Sequence, residues 1–307
     1  MILTVTLNAA LDVTYRVAEL RSGESNRVST VDTRAGGKGV NVARVLHHLG
    51  QDTLVTGLAG GSTGTAILAD LAGAGIPQAL QDIDGAARRT VTVVSTQDGS
   101  ATTFNEPGPV VSPGEWADFI VRYRELADRA DIVVLSGSLP AGLPEDAYAQ
   151  LIGRSRTVTI LDTSGPALLG GLAGEPHVVK PNAGELAEVT GTDTPSAGAA
   201  RLRDLGARAV VASLGADGLL AVTESGSWHA RGPETVHGNP TGAGDACVAA
   251  LAAGLATGAA WPAVLADAVA LSAAAVAHPL AGDVDQDTYR RLKPRVAVEE
   301  LDADPDR

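Results

Sequence analysis

The chain has 307 residues, 45% hydrophobic but only 3% aromatic, so it can bury a large core built mainly from Ala, Val and Leu. A net charge of −13 argues against nucleic acid or an anionic membrane as partner, and a single cysteine excludes an internal disulfide framework and fits a reducing compartment. The start lacks a basic leader and no apolar run reaches the ~20 residues of a spanning helix, so a cytoplasmic protein is expected.

Residues 2–7 read as a buried strand, and 13–19 and 27–33 alternate apolar and polar residues like strands with one wet face. Ala35-Gly36-Gly37-Lys38-Gly39-Val40-Asn41 then opens a helix. Val42, Val45, Leu46 and Leu49 follow at helical spacing, and Gly50 is a natural stop. Further on, strand patterns at 53–58, 132–136, 158–161, 177–179 and 209–214 alternate with helix patterns at 65–71, 115–127, 145–152, 183–189 and 197–205. Such alternation predicts a parallel sheet with helices on both faces. Residues 89–95 and 101–105 break the rhythm as a hairpin around Asp98-Gly99; with the early strands they predict a separate small sheet, a lid. The acidic stretch 298–307 is expected to fray.

The last motif, Asn239-Pro240-Thr241-Gly242-Ala243-Gly244-Asp245-Ala246, leads into a small-residue helix through Val248, Leu251 and Leu255. The first N–H groups of a helix lack internal partners and its dipole is positive there, so small residues let an anion approach. An Asp inside the first turn is not where a cap sits. A carboxylate beside an anion hole is what phosphoryl transfer to an alcohol requires, the acid taking the hydroxyl proton while the helix end holds the charge. The alternative is a tight strand-to-helix turn with a solvated Asp. The Gly36–Gly39 stretch is a second candidate anion site. It is not a Walker motif, since Gly39 follows Lys38, and it too could be a turn that needs glycine.

Of 23 basic residues only Lys38, Lys180 and Lys293 are lysines, which suggests that each has a reason to be there. No GxGxxG supports a dinucleotide fold, and no Cys/His cluster has metal spacing. His47 and His48 are adjacent on a helix and read as surface residues; Cys247 reads as a small buried residue.

The two Gly-rich motifs, in this order, resemble the paired signatures of the ribokinase/PfkB family of carbohydrate kinases, and specifically its 1-phosphofructokinase/tagatose-6-phosphate kinase group. Thr6-Leu7-Asn8-Ala9-Ala10-Leu11-Asp12, Ser136-Gly137-Ser138-Leu139-Pro140, Lys180-Pro181-Asn182 with Glu185, and Ser213-Leu214-Gly215 with Gly218 are similar to further family marks. The resemblance covers nearly the whole chain. It implies one kinase domain over 1–307, an α/β/α three-layer core with a mainly parallel sheet, and a β lid from about 9–34 and 86–106. Asp245 would be the base, and Gly242, Ala243 and Gly244 the anion hole. Asp12, Gly37, Asn41 and Ser138 would hold the sugar, and Lys38 and Arg88, or its neighbour Arg89, the phosphate already on it. Lys180, Ser213, Gly215, Gly218 and Thr241 would border ATP. Asn182 and Glu185 would orient Mg²⁺ through water, unless they merely cap a helix. The resemblance also allows a monovalent cation and implies a homodimer through the lid.

Lys38 resembles the lysine that the fructose-1-phosphate and tagatose-6-phosphate kinases of the family carry in Gly-Lys-Gly; the fructose-6-phosphate members have a glycine there. The activity implied is ATP-dependent phosphorylation of fructose 1-phosphate, with tagatose 6-phosphate or fructose 6-phosphate as alternatives. A kinase of a non-phosphorylated sugar would have no use for Lys38, and a non-catalytic sugar-phosphate sensor would have no use for Asp245.

Overall fold

The computed structural model describes residues 1–301 and forms two sheets. The larger contains β1 (Ile2–Thr6), β4 (Thr53–Leu58), β5 (Gln78–Gln81), β8 (Ile132–Ser136), β9 (Val158–Asp162), β10 (Val178–Val179), β11 (Ala209–Ser213), β12 (Leu219–Val222), β13 (Ser227–Arg231) and β14 (Ala297–Leu301). Its order is β14-β13-β12-β11-β10-β9-β8-β1-β4-β5, parallel from β11 to β5 and antiparallel from β11 to β14.

The central strands are apolar on both sides because both faces are covered. Ile132 and Val134 of β8 pack with α1 (Lys38–His48), α8 (Ala243–Ala256) and α9 (Trp261–Ala277). Val133 and Leu135 pack with α3 (Pro113–Ala127), α4 (Ala147–Ile152), α5 (Gly165–Leu172), α6 (Ala183–Thr190) and α7 (Pro195–Asp204). This is the ribokinase-like three-layer α/β/α arrangement expected. Where α8 and α9 meet, alanines replace bulky side chains, and a Cβ on Gly254 would lie 2.8 Å from Val264. The remaining helices are α2 (Gly61–Gly73) and α10 (Gln286–Leu292).

The smaller sheet has the order β3-β2-β6-β7, built from β2 (Ala10–Val17), β3 (Thr30–Gly36), β6 (Arg88–Ser95) and β7 (Ala101–Asn105). β6 and β7 form the expected hairpin, with Gly99 at φ +74° in its turn. Register places Arg34, Asp12, Thr90 and Asn105 in one cross-strand row, on one face. Val31, Tyr15 and Val93, with Val13, Val91 and Phe104, lie on the other.

Three expectations need correction. The tail is not frayed through 298–301: β14 pairs antiparallel with β13, its Glu299 and Glu300 exposed on a sheet edge, which charged residues suit, while Val298 packs on the core. The rest of that stretch, 302–307, lies outside the described residues. The second strand spans Ala10–Val17 rather than 13–19 and the third Thr30–Gly36 rather than 27–33, because their register pairs Ala10 with Gly36 and so carries the ladder into the first glycine motif. Residues 165–172 form α5, whose Gly-Pro start and paired glycines hid the helical spacing of Leu168 and Leu172.

Candidate active site

The N-termini of α1 and α8 point into one cleft of about 1070 Å³, at the C-terminal ends of β9, β10 and β11 and under the polar face of the smaller sheet. Gly37 caps α1 at φ +100° and Gly242 caps α8 at φ +90°, left-handed values that favour glycine. Gly39 lets α1 lie against β1, since a Cβ there would sit 2.7 Å from the Val5 carbonyl oxygen.

Asp245 is 6% exposed in the first turn of α8. Its Oδ2 accepts a 2.8 Å bond from the Asn41 amide on α1, so one hydrogen bond ties the two glycine motifs together. Burial, aided by the charge of Asp162, raises the Asp245 pKa to about 7 against the pull of Lys38, Asn41 and Lys180. The solvated-Asp alternative is thereby removed.

Two lysines converge on Asp162, the last residue of β9. Its Oδ1 lies 3.2 Å from Lys38 Nζ and 3.4 Å from Lys180 Nζ, and the carboxylate is 1% exposed. Burial alone would raise its pKa, but the two ammonium groups hold it below the ordinary range. Burial alone would likewise lower Lys38 and Lys180, and Asp162 keeps both raised and charged. Lys38 is 38% exposed on its side chain and faces the cleft; Lys180 is almost fully buried beside Gly244.

The sequence pattern of the pfkB family carbohydrate kinases matches residues 4–288. The chain belongs to that family. The fold is similar to that of Escherichia coli phosphofructokinase-2 in complex with potassium: TM-score 0.91 at 29% identity, covering 96% of this chain and 98% of that one. The same enzyme in complex with fructose-6-phosphate gives a TM-score of 0.85 at 29% identity, over 95% and 98% of the two chains. A possible 1-phosphofructokinase from Thermotoga maritima shares the fold at 24% identity, with a TM-score of 0.83 over 98% and 100%.

In this carbohydrate kinase the residues given a site role from the sequence line the large cleft, except Ser138 and Arg89. Asp12, Gly37, Lys38, Asn41 and Arg88 border it on the side of the smaller sheet. Lys180, Ser213, Gly215, Gly218 and Thr241 line it as well, as do Gly242, Ala243, Gly244 and Asp245. Ser138 instead lines an adjoining cavity of about 500 Å³, which shares Lys38, Arg88 and Glu185 with the cleft. Burial raises the Asp12 pKa to about 6 against the influence of Thr90, Arg88, Arg34 and Arg44.

The structure separates Arg88 from Arg89. Arg88 faces the cleft, its Nε donating to the Asn8 carbonyl at 3.2 Å, whereas Arg89 points outward and pairs with Glu106 at 2.9 Å. Asn182 and Glu185 form a capping box at the start of α6: each backbone N–H donates to the other's side chain, at 2.8 and 2.9 Å. They cap and they also line the cleft. Among the described residues no group of three His, Cys, Asp or Glu could hold a metal by itself. Mg²⁺ bound with a nucleotide needs only one or two protein carboxylates, and Glu185, with Oε2 alone engaged in the cap, fits that role.

Sequence reasoning missed Asp162, Thr90 and Asn105. An acid ending a buried parallel-strand run, Val158-Thr159-Ile160-Leu161-Asp162, was the available signal for the first. The other two become visible only through register. Cys247 is buried as expected, its thiol pushed up to about 11 by burial. Among the described residues no helix is long and apolar enough to cross a membrane.

Proposed function

We propose that this carbohydrate kinase transfers the γ-phosphoryl group of MgATP to a hydroxyl of a ketohexose monophosphate, with fructose 1-phosphate the preferred acceptor. The observation that carries the reading is the pair Lys38 and Arg88, which with Asn105 and Glu185 line both cavities, while buried Asp245 lines the larger one. Two cations there suit an acceptor that already bears a phosphate, which a protein of net charge −13 would otherwise repel.

Asp245, its pKa matched to neutral pH, accepts the proton of the attacking hydroxyl. The oxygen then attacks the γ-phosphorus, the bond to ADP breaks, and the proton leaves Asp245 to solvent. Asn41 holds the carboxylate in line, and the backbone N–H groups of Gly242, Ala243 and Gly244 hold charge on the transferred group. Asp12, Gly37 and Asn41 hold sugar hydroxyls; Ser138 supports the acceptor phosphate. Lys180 draws ATP phosphates, while Ser213, Gly215, Gly218 and Thr241 border the nucleotide. Mg²⁺, near Glu185 and Asn182, would neutralise charge on the phosphates. The smaller sheet, polar face inward, serves as the lid that excludes water.

A second acceptor, fructose 6-phosphate, is favoured by similarity to the Escherichia coli enzyme seen with that sugar phosphate. The test is initial rates with MgATP, with and without K⁺, on fructose 1-phosphate, fructose 6-phosphate, tagatose 6-phosphate and ribose. The expected order puts fructose 1-phosphate first. Ribose as best acceptor would overturn the role of Lys38 and Arg88; fructose 6-phosphate as best would correct the sugar alone.

A further inference from the structure

We propose that Asn8 is a positioning residue that aims the Ser138 hydroxyl proton into the smaller cavity, at the phosphate of the acceptor. The proposal rests on the reading of the acceptor as a sugar phosphate. Asn8 follows β1 and is 7% exposed. Its Nδ2 donates to the Pro107 carbonyl at 3.2 Å and to Ser138 Oγ at 3.1 Å, and its backbone carbonyl accepts from Arg88 Nε at 3.2 Å. One residue therefore touches both Ser138 and Arg88, two of the polar groups that line the cavity together with Lys38, Asn105, Glu106 and Glu185.

The direction of the bond to Ser138 follows from chemistry. A proline carbonyl can only accept, so the amide face turned to Pro107 must be the nitrogen, and that same nitrogen faces Ser138. Ser138 Oγ is consequently the acceptor, and its own proton turns away from Asn8 into a cavity that Lys38 and Arg88 also line. The main chain at Ser138 is pinned separately: the Gly137 carbonyl accepts from the Tyr148 and Thr163 hydroxyls, both at 2.8 Å. With the main chain held, the Ser138 side chain has Asn8 as its hydrogen-bond partner among the described residues.

Asn8 Oδ1, by contrast, is buried with no partner among the described residues, and it lies where a Cβ on Gly108 would sit 2.2 Å away. A buried amide oxygen left unpaired is costly. A leucine would fill the same space without that cost; what the amide adds is its nitrogen, which donates to the Pro107 carbonyl and to Ser138 Oγ.

A double-mutant cycle tests this, with acceptor and ATP varied separately and thermal melts confirming that each variant folds. Asn8→Leu, close to isosteric and without a donor, should raise the acceptor KM about tenfold and leave the ATP KM within about twofold. Ser138→Ala should cost a similar factor in the wild type but less than about twofold in the Asn8→Leu background, because an unaimed hydroxyl has little left to lose. Should Asn8→Leu fail to fold, Asn8→Ala takes its place in the cycle. A full Ser138→Ala loss in either Asn8 background would overturn the proposal, as would an Asn8 variant that raises both KM values equally. A wild type inactive on every sugar phosphate but active on ribose would overturn the functional reading first, and the proposal with it.

Discussion

At the scale of single residues, the site depends on how burial and charge divide the work among three aspartates. Asp162 stays ionised because two lysines face it, whereas Asp245 and Asp12 are held near neutral pH by burial. A carboxyl whose pKa rises from 3.8 to about 7 on folding binds more protons folded than unfolded between those values, so its contribution to stability is lost as pH climbs through that window. Asp245→Asn should therefore lower kcat by roughly a hundredfold or more. It should also melt roughly 2 °C or more above the wild type at pH 8, with the gain vanishing near pH 4. Parallel activity and melting curves check both signs; a variant that is less stable at pH 8 would mean that Asp245 is comfortable as an anion. Lys38→Ala should raise the acceptor KM by roughly tenfold to a thousandfold and spare the ATP KM, measured by varying each substrate. A loss confined to ATP would move Lys38 to the nucleotide side.

At the scale of elements, the site is made by two helix starts that approach because glycines permit it. α1 lies against β1 at Gly39, and α1 in turn presents Asn41 to Asp245 on α8. Gly39→Ala would drive a methyl to 2.7 Å from the Val5 carbonyl oxygen. Backbone cannot yield there without moving α1, so the expected cost is about 1–3 kcal/mol of stability and a fall in kcat as Asn41 leaves Asp245. Melting temperature and kcat should drop together; a normal kcat in a destabilised variant would show that the Asn41 contact does not matter for turnover. Both helix starts are legible in the sequence because Gly-Gly-Lys-Gly and Gly-Ala-Gly-Asp stand directly before periodic apolar residues. α5 and β14 are not, because eight Gly-rich residues and five half-charged ones form regular structure only against neighbours already in place.

At the scale of the whole molecule, the smaller sheet presents a polar face to the cleft and an apolar face away from it. Val31 and Phe104 remain 55% and 57% exposed on that outer face. We propose that a second copy covers it, giving a homodimer through the lid. Sedimentation at micromolar concentration should report a dimer, and Phe104→Asp should shift it toward monomer with the fold intact by circular dichroism. A wild-type monomer under those conditions would leave the sheet as a lid and remove the dimer.

The sequence by itself determined the alternation of strand and helix, the small sheet, both glycine-rich helix starts and the acid beside the second. Those signals are local: periodicity, turn chemistry and backbone conformations that favour glycine. Tertiary structure decided the rest. Arg88 and Arg89 are indistinguishable in sequence, yet adjacent strand residues point to opposite faces, and only the placement of β6 beside β2 turns Arg88 to the cleft and Arg89 to Glu106. Asp162 became the counter-ion of two lysines because β9 and β10 end side by side while α1 brings Lys38 across from far along the chain. Such a convergence leaves no spacing to read, since it is fixed by the order of strands in the sheet rather than by the order of residues in the chain.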